Sequence, residues 1–252
     1  MPTDRVGGRD EAGSVNVLRG SAAGLTSRGA QLWNQRTAGI KGTPEEGDWF
    51  GWSLAAGHFS GRRSADLAIG VFGENGGSGA VAVIYGASRG LSAKGDQIWS
   101  RRTKGLGDRR RLDSELGQQL VTENFGHDYS GRRYADLVTT AYDSKGGSRR
   151  DHLRVGSRLS TKHSRGWDLD SPGIQGEMST NGTSFGTALA AGRFDGREHD
   201  DLVIGDDAYD EGLFVVINGS PSGLTVARNR LWTADDFRQP GLMYLGKALT
   251  SG

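Results

Sequence analysis

The sequence of 252 residues contains no cysteine, so disulfide bonds and cysteine-ligated zinc are excluded. Proline is rare, and no apolar run approaches the roughly 18 residues of a membrane-spanning helix. The first residues lack the apolar stretch of a signal peptide, so we expect none in this chain. Net charge is also nearly absent, because 31 basic and 30 acidic residues leave +1. That balance gives no global reason to expect a membrane or nucleic acid as partner.

Glycine, in contrast, is abundant at 42 residues, and the chain repeats itself. Tryptophans recur about every 66 residues, at Trp33, Trp99, Trp167 and Trp232. Three further markers keep the same register: Phe-Gly or Leu-Gly, an Asp-Leu that opens an apolar run, and an apolar run before a glycine turn. The sequence therefore predicts one domain, 1–252, with repeats at approximately 1–49, 50–115, 116–184 and 185–243. Residues 244–252 would be the first strand of a repeat that the N-terminus completes.

Each repeat reads as four short strands separated by glycine turns. In the second repeat they are expected at about 52–59, 66–71, 80–86 and 97–100. This pattern favours an all-β protein, a β-propeller with one blade per repeat, over a solenoid. A closed four-blade ring, a piece of a larger propeller, and half of a propeller completed by a second copy all remain open.

The segment "FGWSLAAGHFSGRRSADLAIGVFGENGGSGAVAVIYGASRGL" resembles an FG-GAP repeat, the unit of the integrin α-subunit head and of many secreted bacterial proteins. "FGTALAAGRFDGREHDDLVIGDDAYDEGLFVVINGSPSGL" matches it equally well. The resemblance implies a non-catalytic binding or adhesion module, outside the cell or on its surface, with a protein or polysaccharide ligand. Two departures stand out. Such propellers usually have about seven blades, and "GVF", "TAY" and "GDD" replace the Gly-Ala-Pro element.

In that family, the loop before Asp-Leu binds calcium through oxygens at positions 1, 3, 5 and 9. Here the three complete loops read His58, Ser60, Arg62, Asp66; Asp128, Ser130, Arg132, Asp136; and Arg193, Asp195, Arg197, Asp201. An arginine at position 5 removes a ligand and repels a divalent ion. Asp128, Ser130 and Asp136 are the best remaining set, for weak calcium binding, and no other cofactor is expected.

The alternative is that the arginine replaces the metal. Arg62 would then pair with Asp66, Arg132 with Asp136, and Arg197 with Asp201, closing each turn by an Arg–carboxylate contact. We favour these clamps over calcium.

Evidence for catalysis is poor. "GTSFG" around Ser184 matches the G-x-S-x-G nucleophile elbow, but it lies in the Phe-Gly register of a β repeat. We therefore expect no enzyme. The alternatives to a binding module are an accessory domain or fragment of a secreted hydrolase, and a polyanion-binding surface protein. The basic runs "RRTKGLGDRRR" and "SRRDHLRVGSRLSTKHSR" suggest the last, or self-association with the acidic repeat. Aromatic residues are not interleaved with these runs, which argues against nucleic acid.

Overall fold

The computed structural model describes residues 1–106, 114–126, 134–143, 149–155, 159–176, 184–207, 212–237 and 245–249. Strands dominate this part of the chain. They form one two-stranded sheet and three four-stranded sheets, each with its strands in sequence order. All the named pairs are antiparallel, and no sheet of the described strands closes into a barrel. The predicted all-β class is confirmed.

The sheets follow one another along the chain. The first contains β1 (Val15–Ser21) and β2 (Gly24–Trp33). The second contains β3 (Phe50–Gly57), β4 (Asp66–Val71), β5 (Ala80–Ala87) and β6 (Gly90–Ser100). The third contains β7 (Ser114–Glu123), β8 (Asp136–Asp143), β9 (Arg149–Val155) and β10 (Leu159–Trp167). The fourth contains β11 (Ala188–Gly192), β12 (Asp201–Asp206), β13 (Leu213–Asn218) and β14 (Thr225–Thr233).

In the described residues, helical structure is limited to two turns. One turn, α1 (Glu74–Gly77), joins β4 to β5, and its Asn75 and Gly76 have left-handed dihedrals. A 3-10 turn (Ala234–Phe237) follows β14. Among the described residues, no helix has the length and apolar character needed to span a membrane.

The sequence markers fall at fixed places in the sheets. The Asp-Leu marker opens the second strand of every four-stranded sheet, at Asp66, Asp136 and Asp201. The repeated tryptophan ends the last strand of a sheet or stands next to its end, as Trp33 and Trp99 do. In the second repeat the observed strands overlap all four predicted ones, although β6 begins earlier than expected.

Three hydrophobic cores hold the sheets together, and each lies between two successive sheets. Strand β5 contributes to two of them, because it is buried on both faces. The face toward the first sheet carries Ala80, Ala82 and Ile84. The face toward the third sheet carries Val81, Val83 and Tyr85. The period of two along a strand produces this division, and a strand buried on both faces reads as a continuous apolar run.

Glycines allow the backbones of successive sheets to meet. Gly79 forms a parallel bridge with Leu116, and Gly212 forms the same bridge with Leu245. A Cβ on Gly79 would stand 2.2 Å from the carbonyl oxygen of Leu116, and one on Gly212 would stand 2.2 Å from that of Leu245. At these positions only glycine lets the sheets approach so closely. The segment 245–249 thus meets the fourth sheet as β7 meets the second.

The repeated tryptophan is followed by a repeated turn. The backbone N–H of the next residue donates to a hydroxyl three positions on: Asn34 to Thr37 at 3.1 Å, Ser100 to Thr103 at 3.0 Å, and Asp168 to Ser171 at 2.9 Å. The preceding rings, Trp33, Trp99 and Trp167, are each buried in a different core. The turn thus fixes the corner where the chain leaves one sheet for the next.

Candidate functional site

The first loop of the calcium-type pattern is closed by backbone donors. The Asp66 carboxylate, at the start of β4, accepts a hydrogen bond from the Ser60 backbone N–H at 2.7 Å and from the Ser60 hydroxyl at 3.1 Å. Its Oδ1 also accepts the backbone N–H of Gly86, on β5, at 2.7 Å. A single buried carboxylate therefore joins the loop to the end of the neighbouring strand.

The same arrangement recurs in the fourth sheet. Asp201 Oδ2 accepts the backbone N–H of Asp195 at 2.9 Å, and Oδ1 accepts that of Gly219 at 2.9 Å. Gly219 and Gly86 are equivalent in another respect, because a Cβ on either would strike the carbonyl oxygen of the residue before the aspartate. The Asp of the Asp-Leu marker is thus a structural hub of the repeat.

The observed contacts of Arg62 and Arg197 differ from the arginine clamps that the sequence predicts. Arg197 Nε lies 3.6 Å from Asp195 Oδ2, and this is the ion pair of Arg197, not one with Asp201. No ion pair joins Arg62 to Asp66 in the described part of the chain. The physical reason is burial: both aspartates are enclosed and satisfied by backbone N–H groups, so the large guanidinium stays outside. Arg132, the partner proposed for Asp136, lies outside the described residues.

Most of the candidate calcium ligands also lie outside the described residues. Asp128 and Ser130 are outside the described residues, while Asp136 is buried at the start of β8. In the first loop, His58 Nδ1 lies 3.0 Å from the Arg62 carbonyl oxygen. The described residues contain no group of three or more His, Asp or Glu side chains arranged like a metal site. Most of the second basic run and the end of the first fall on residues whose side chains are not described.

A polar cavity of about 320 Å³ lies beside the first strands of the second and third sheets and the segment that leads into the first strand of the fourth. Strand β7 is the central one, because it contacts β3 on one side and β11 on the other. The cavity is lined by Trp52, Glu115, Gln118, Gln119, Ser184, Gly186, Thr187 and Asp207. Apart from the indole and one glycine, these residues offer carboxylates, amides and hydroxyls, so the cavity suits a ligand with many hydrogen-bonding groups.

Trp52 belongs to an aromatic cluster at the edge of this cavity. Its ring stacks on Phe72, with centroids 5.0 Å apart and planes at 19°, and it meets Trp49 at 5.7 Å. Trp49 has a φ of 52°, a left-handed conformation that a bulky residue rarely adopts. Its N–H donates to the carbonyl of Glu11, and its own carbonyl accepts the N–H of Trp52. The strained turn therefore holds a cluster whose Trp52 remains 46% exposed.

Two acidic side chains, Glu115 and Asp207, line the cavity. Burial raises the pKa of Glu115 above its ordinary value. Across the cavity, Asp207 Oδ1 accepts a hydrogen bond from the Thr187 hydroxyl at 2.9 Å. Two carboxyl groups in one small cavity disfavour an anionic ligand.

Ser184 also lines this cavity. Its backbone N–H donates to Asp206 Oδ1 at 3.0 Å, and its carbonyl accepts the N–H and the hydroxyl of Thr187. Strand β11 begins one residue after Thr187, where a nucleophile elbow would continue into a helix.

The repeat pattern of the sequence does not predict this cavity. Only four of the six tryptophans mark the repeat. Trp49 and Trp52 are the two that fall outside that register, and this was the available signal. Their convergence with β7 and β11 is a tertiary relationship that a local motif does not show.

Comparison with family models gives no match, and comparison with curated proteins gives none either.

Proposed function

We propose that this chain is a non-catalytic binding module built as a propeller of FG-GAP-type blades, and that it binds neutral carbohydrate in the cavity beside Trp52. The propeller is supported by four sheets in chain order, by a separate core between each successive pair, and by first strands that lie side by side. Radial repetition of four-stranded sheets is the arrangement that such units form.

The proposal of carbohydrate binding depends on the half-exposed Trp52 ring. An indole held by Trp49 and Phe72 offers a rigid apolar surface next to carboxylates, amides and hydroxyls. A sugar presents the complementary pattern, with C–H groups on the ring face and hydroxyls at its edge. The carboxylates of Glu115 and Asp207 accept hydrogen bonds from hydroxyls and repel acidic sugars, so a neutral glycan fits best.

An array of neutral and acidic oligosaccharides tests the ligand class, followed by calorimetric titration of the best neutral ligand. Trp52→Ala is expected to weaken binding at least about tenfold, because the loss of one stacking contact of about 1.4 kcal/mol has that effect. Phe237→Ala is the matched control: it removes another exposed aromatic ring, in the 3-10 turn after the fourth sheet, and should leave binding unchanged.

Three results would contradict the proposal: no neutral oligosaccharide bound, a preference for acidic ones, or equal binding by Trp52→Ala. Chromatography of the ligand after incubation tests the non-catalytic part, since a shortened oligosaccharide would identify a hydrolase.

A further inference from the structure

A second polar cluster lies at the junction of the first and second sheets. It consists of Gln35, two residues after Trp33, together with Asp48 and Glu74, which we call the junction cluster. Their exposed fractions are 5%, 0% and 6%. Asp48 stands just before β3 and Glu74 opens α1, so three separate segments meet here.

Hydrogen bonds satisfy only part of this cluster. Gln35 Nε2 donates to Glu74 Oε2 at 2.6 Å, and the backbone N–H of Glu45 donates to Asp48 Oδ2 at 2.7 Å. Glu74 Oε1 accepts a hydrogen bond from Asn75 Nδ2 at 3.2 Å, whereas Gln35 Oε1 and Asp48 Oδ1 are buried and have no hydrogen-bond donor. Gln35 Oε1 shares the amide whose nitrogen contacts Glu74, so it lies within the cluster. Buried acceptors of this kind are normally satisfied.

The cluster also lacks a positive charge. No lysine or arginine forms an ion pair with Asp48 or Glu74 among the described residues. Two enclosed carboxylates without a counter-charge are unfavourable near neutral pH.

The equivalent position differs between junctions: it is Gln35 in the first, Arg101 in the second and Leu169 in the third. Arg101 follows Trp99 by two residues, as Gln35 follows Trp33, and the same hydroxyl-closed turn surrounds both. The Arg101 side chain is buried, with 1% exposed. A fixed cation therefore occupies the position in the second junction that the neutral amide of Gln35 occupies in the first.

We propose that the junction cluster binds a hard metal cation of the calcium type, with Asp48, Glu74 and the amide oxygen of Gln35 as its side-chain ligands. Calcium takes carboxylate and amide oxygens readily and completes its shell with backbone carbonyls and water. The cation balances the charge of the two carboxylates, and it gives Asp48 Oδ1 and Gln35 Oε1 a partner. This site lies apart from the Asp128–Asp136 loop and does not depend on carbohydrate binding.

Thermal unfolding near neutral pH, in metal-free buffer and with millimolar calcium, tests the site. At a concentration about 100-fold above the dissociation constant, calcium should raise the midpoint by about 5 °C. Asp48→Asn should lose this shift. Gln35→Arg is the more informative variant, because it copies Arg101: it should lose the calcium shift while unfolding at a higher temperature than the parent without metal. Asp128→Ser, in the candidate loop, should keep the full shift.

Four results would overturn the proposal. These are no calcium shift in the parent, a shift that persists in both Asp48→Asn and Gln35→Arg, a shift abolished by Asp128→Ser, and a Gln35→Arg variant that folds but is no more stable than the parent without metal. If Asp48→Asn does not fold, as judged by circular dichroism, Glu74→Gln takes its place with the same expectation. Calorimetric titration of the folded parent with calcium chloride then gives the stoichiometry, and a value of zero contradicts the site directly.

Discussion

The Asp66 carboxylate accepts the backbone N–H of Gly86 at 2.7 Å, across 20 residues of sequence. The same oxygen also accepts the Ser60 hydroxyl, and the second oxygen accepts the Ser60 N–H. Asp201 repeats the relationship with Asp195 and Gly219. In both loops the aspartate therefore joins the loop to a strand through backbone N–H groups.

Asp201→Ala should destabilise the protein by about 2 to 3 kcal/mol, because one buried and one partly buried backbone N–H group lose a charged acceptor. Equilibrium unfolding in urea measures the difference. Arg197→Ala is the control and should cost less than about 1 kcal/mol, since its partner is the solvent-accessible Asp195. A loss for Arg197→Ala as large as that for Asp201→Ala would restore the arginine clamp.

The sequence predicted the loops, the aspartates and the strands, since these depend on local patterns with a fixed register. It did not predict the partners of Asp66. Arg62 is four residues away and of opposite charge, which makes it the obvious partner in one dimension. Gly86 offers only a backbone N–H, which every non-proline residue has, so nothing in its side chain marks it. The cavity beside Trp52 and the junction cluster could not be predicted from local sequence patterns either, because each brings together segments from different repeats.

Gly79→Ala should destabilise the protein severely, by more than about 3 kcal/mol, because the new Cβ would stand 2.2 Å from the Leu116 carbonyl oxygen and push two sheets apart. Gly76→Ala is a matched control. Gly76 and Gly79 share a φ of 69°, but nothing lies within 4 Å of a Cβ at Gly76. Its substitution carries only the left-handed backbone cost of about 1 to 2 kcal/mol. Equal losses in urea unfolding would mean that close contact between the sheets contributes little.

Thr103→Val should cost about 1 kcal/mol, because it removes the hydroxyl that accepts the Ser100 N–H at the corner after Trp99 and keeps the side-chain volume. Thr103→Ser retains that hydroxyl and should cost less. The order of the two variants in urea unfolding is the measurement. A Thr103→Ser variant that is less stable than Thr103→Val would show that the methyl group, and not the hydrogen bond, holds this turn.

Acidification in metal-free buffer should stabilise the protein through the junction cluster. Burial, with Glu45 nearby, raises the folded-state pKa of Asp48 to about 6, and burial next to Asp48 raises that of Glu74 to about 7. In the unfolded chain both titrate near their ordinary values, 3.8 and 4.5. Between these limits the folded state binds more protons than the unfolded state, so the free energy of unfolding increases as pH falls from about 7 towards about 4.

Urea unfolding at a series of pH values measures this slope. Glu115 and Glu123 have pKa values raised in the same direction, so the parent protein alone does not isolate the cluster. The double substitution Asp48→Asn with Glu74→Gln removes both titrating groups, and the parent-minus-variant difference should grow as pH falls through the window. A difference that is constant with pH, or that shrinks on acidification, would mean that the two carboxylates remain ionised in the folded protein without a cation.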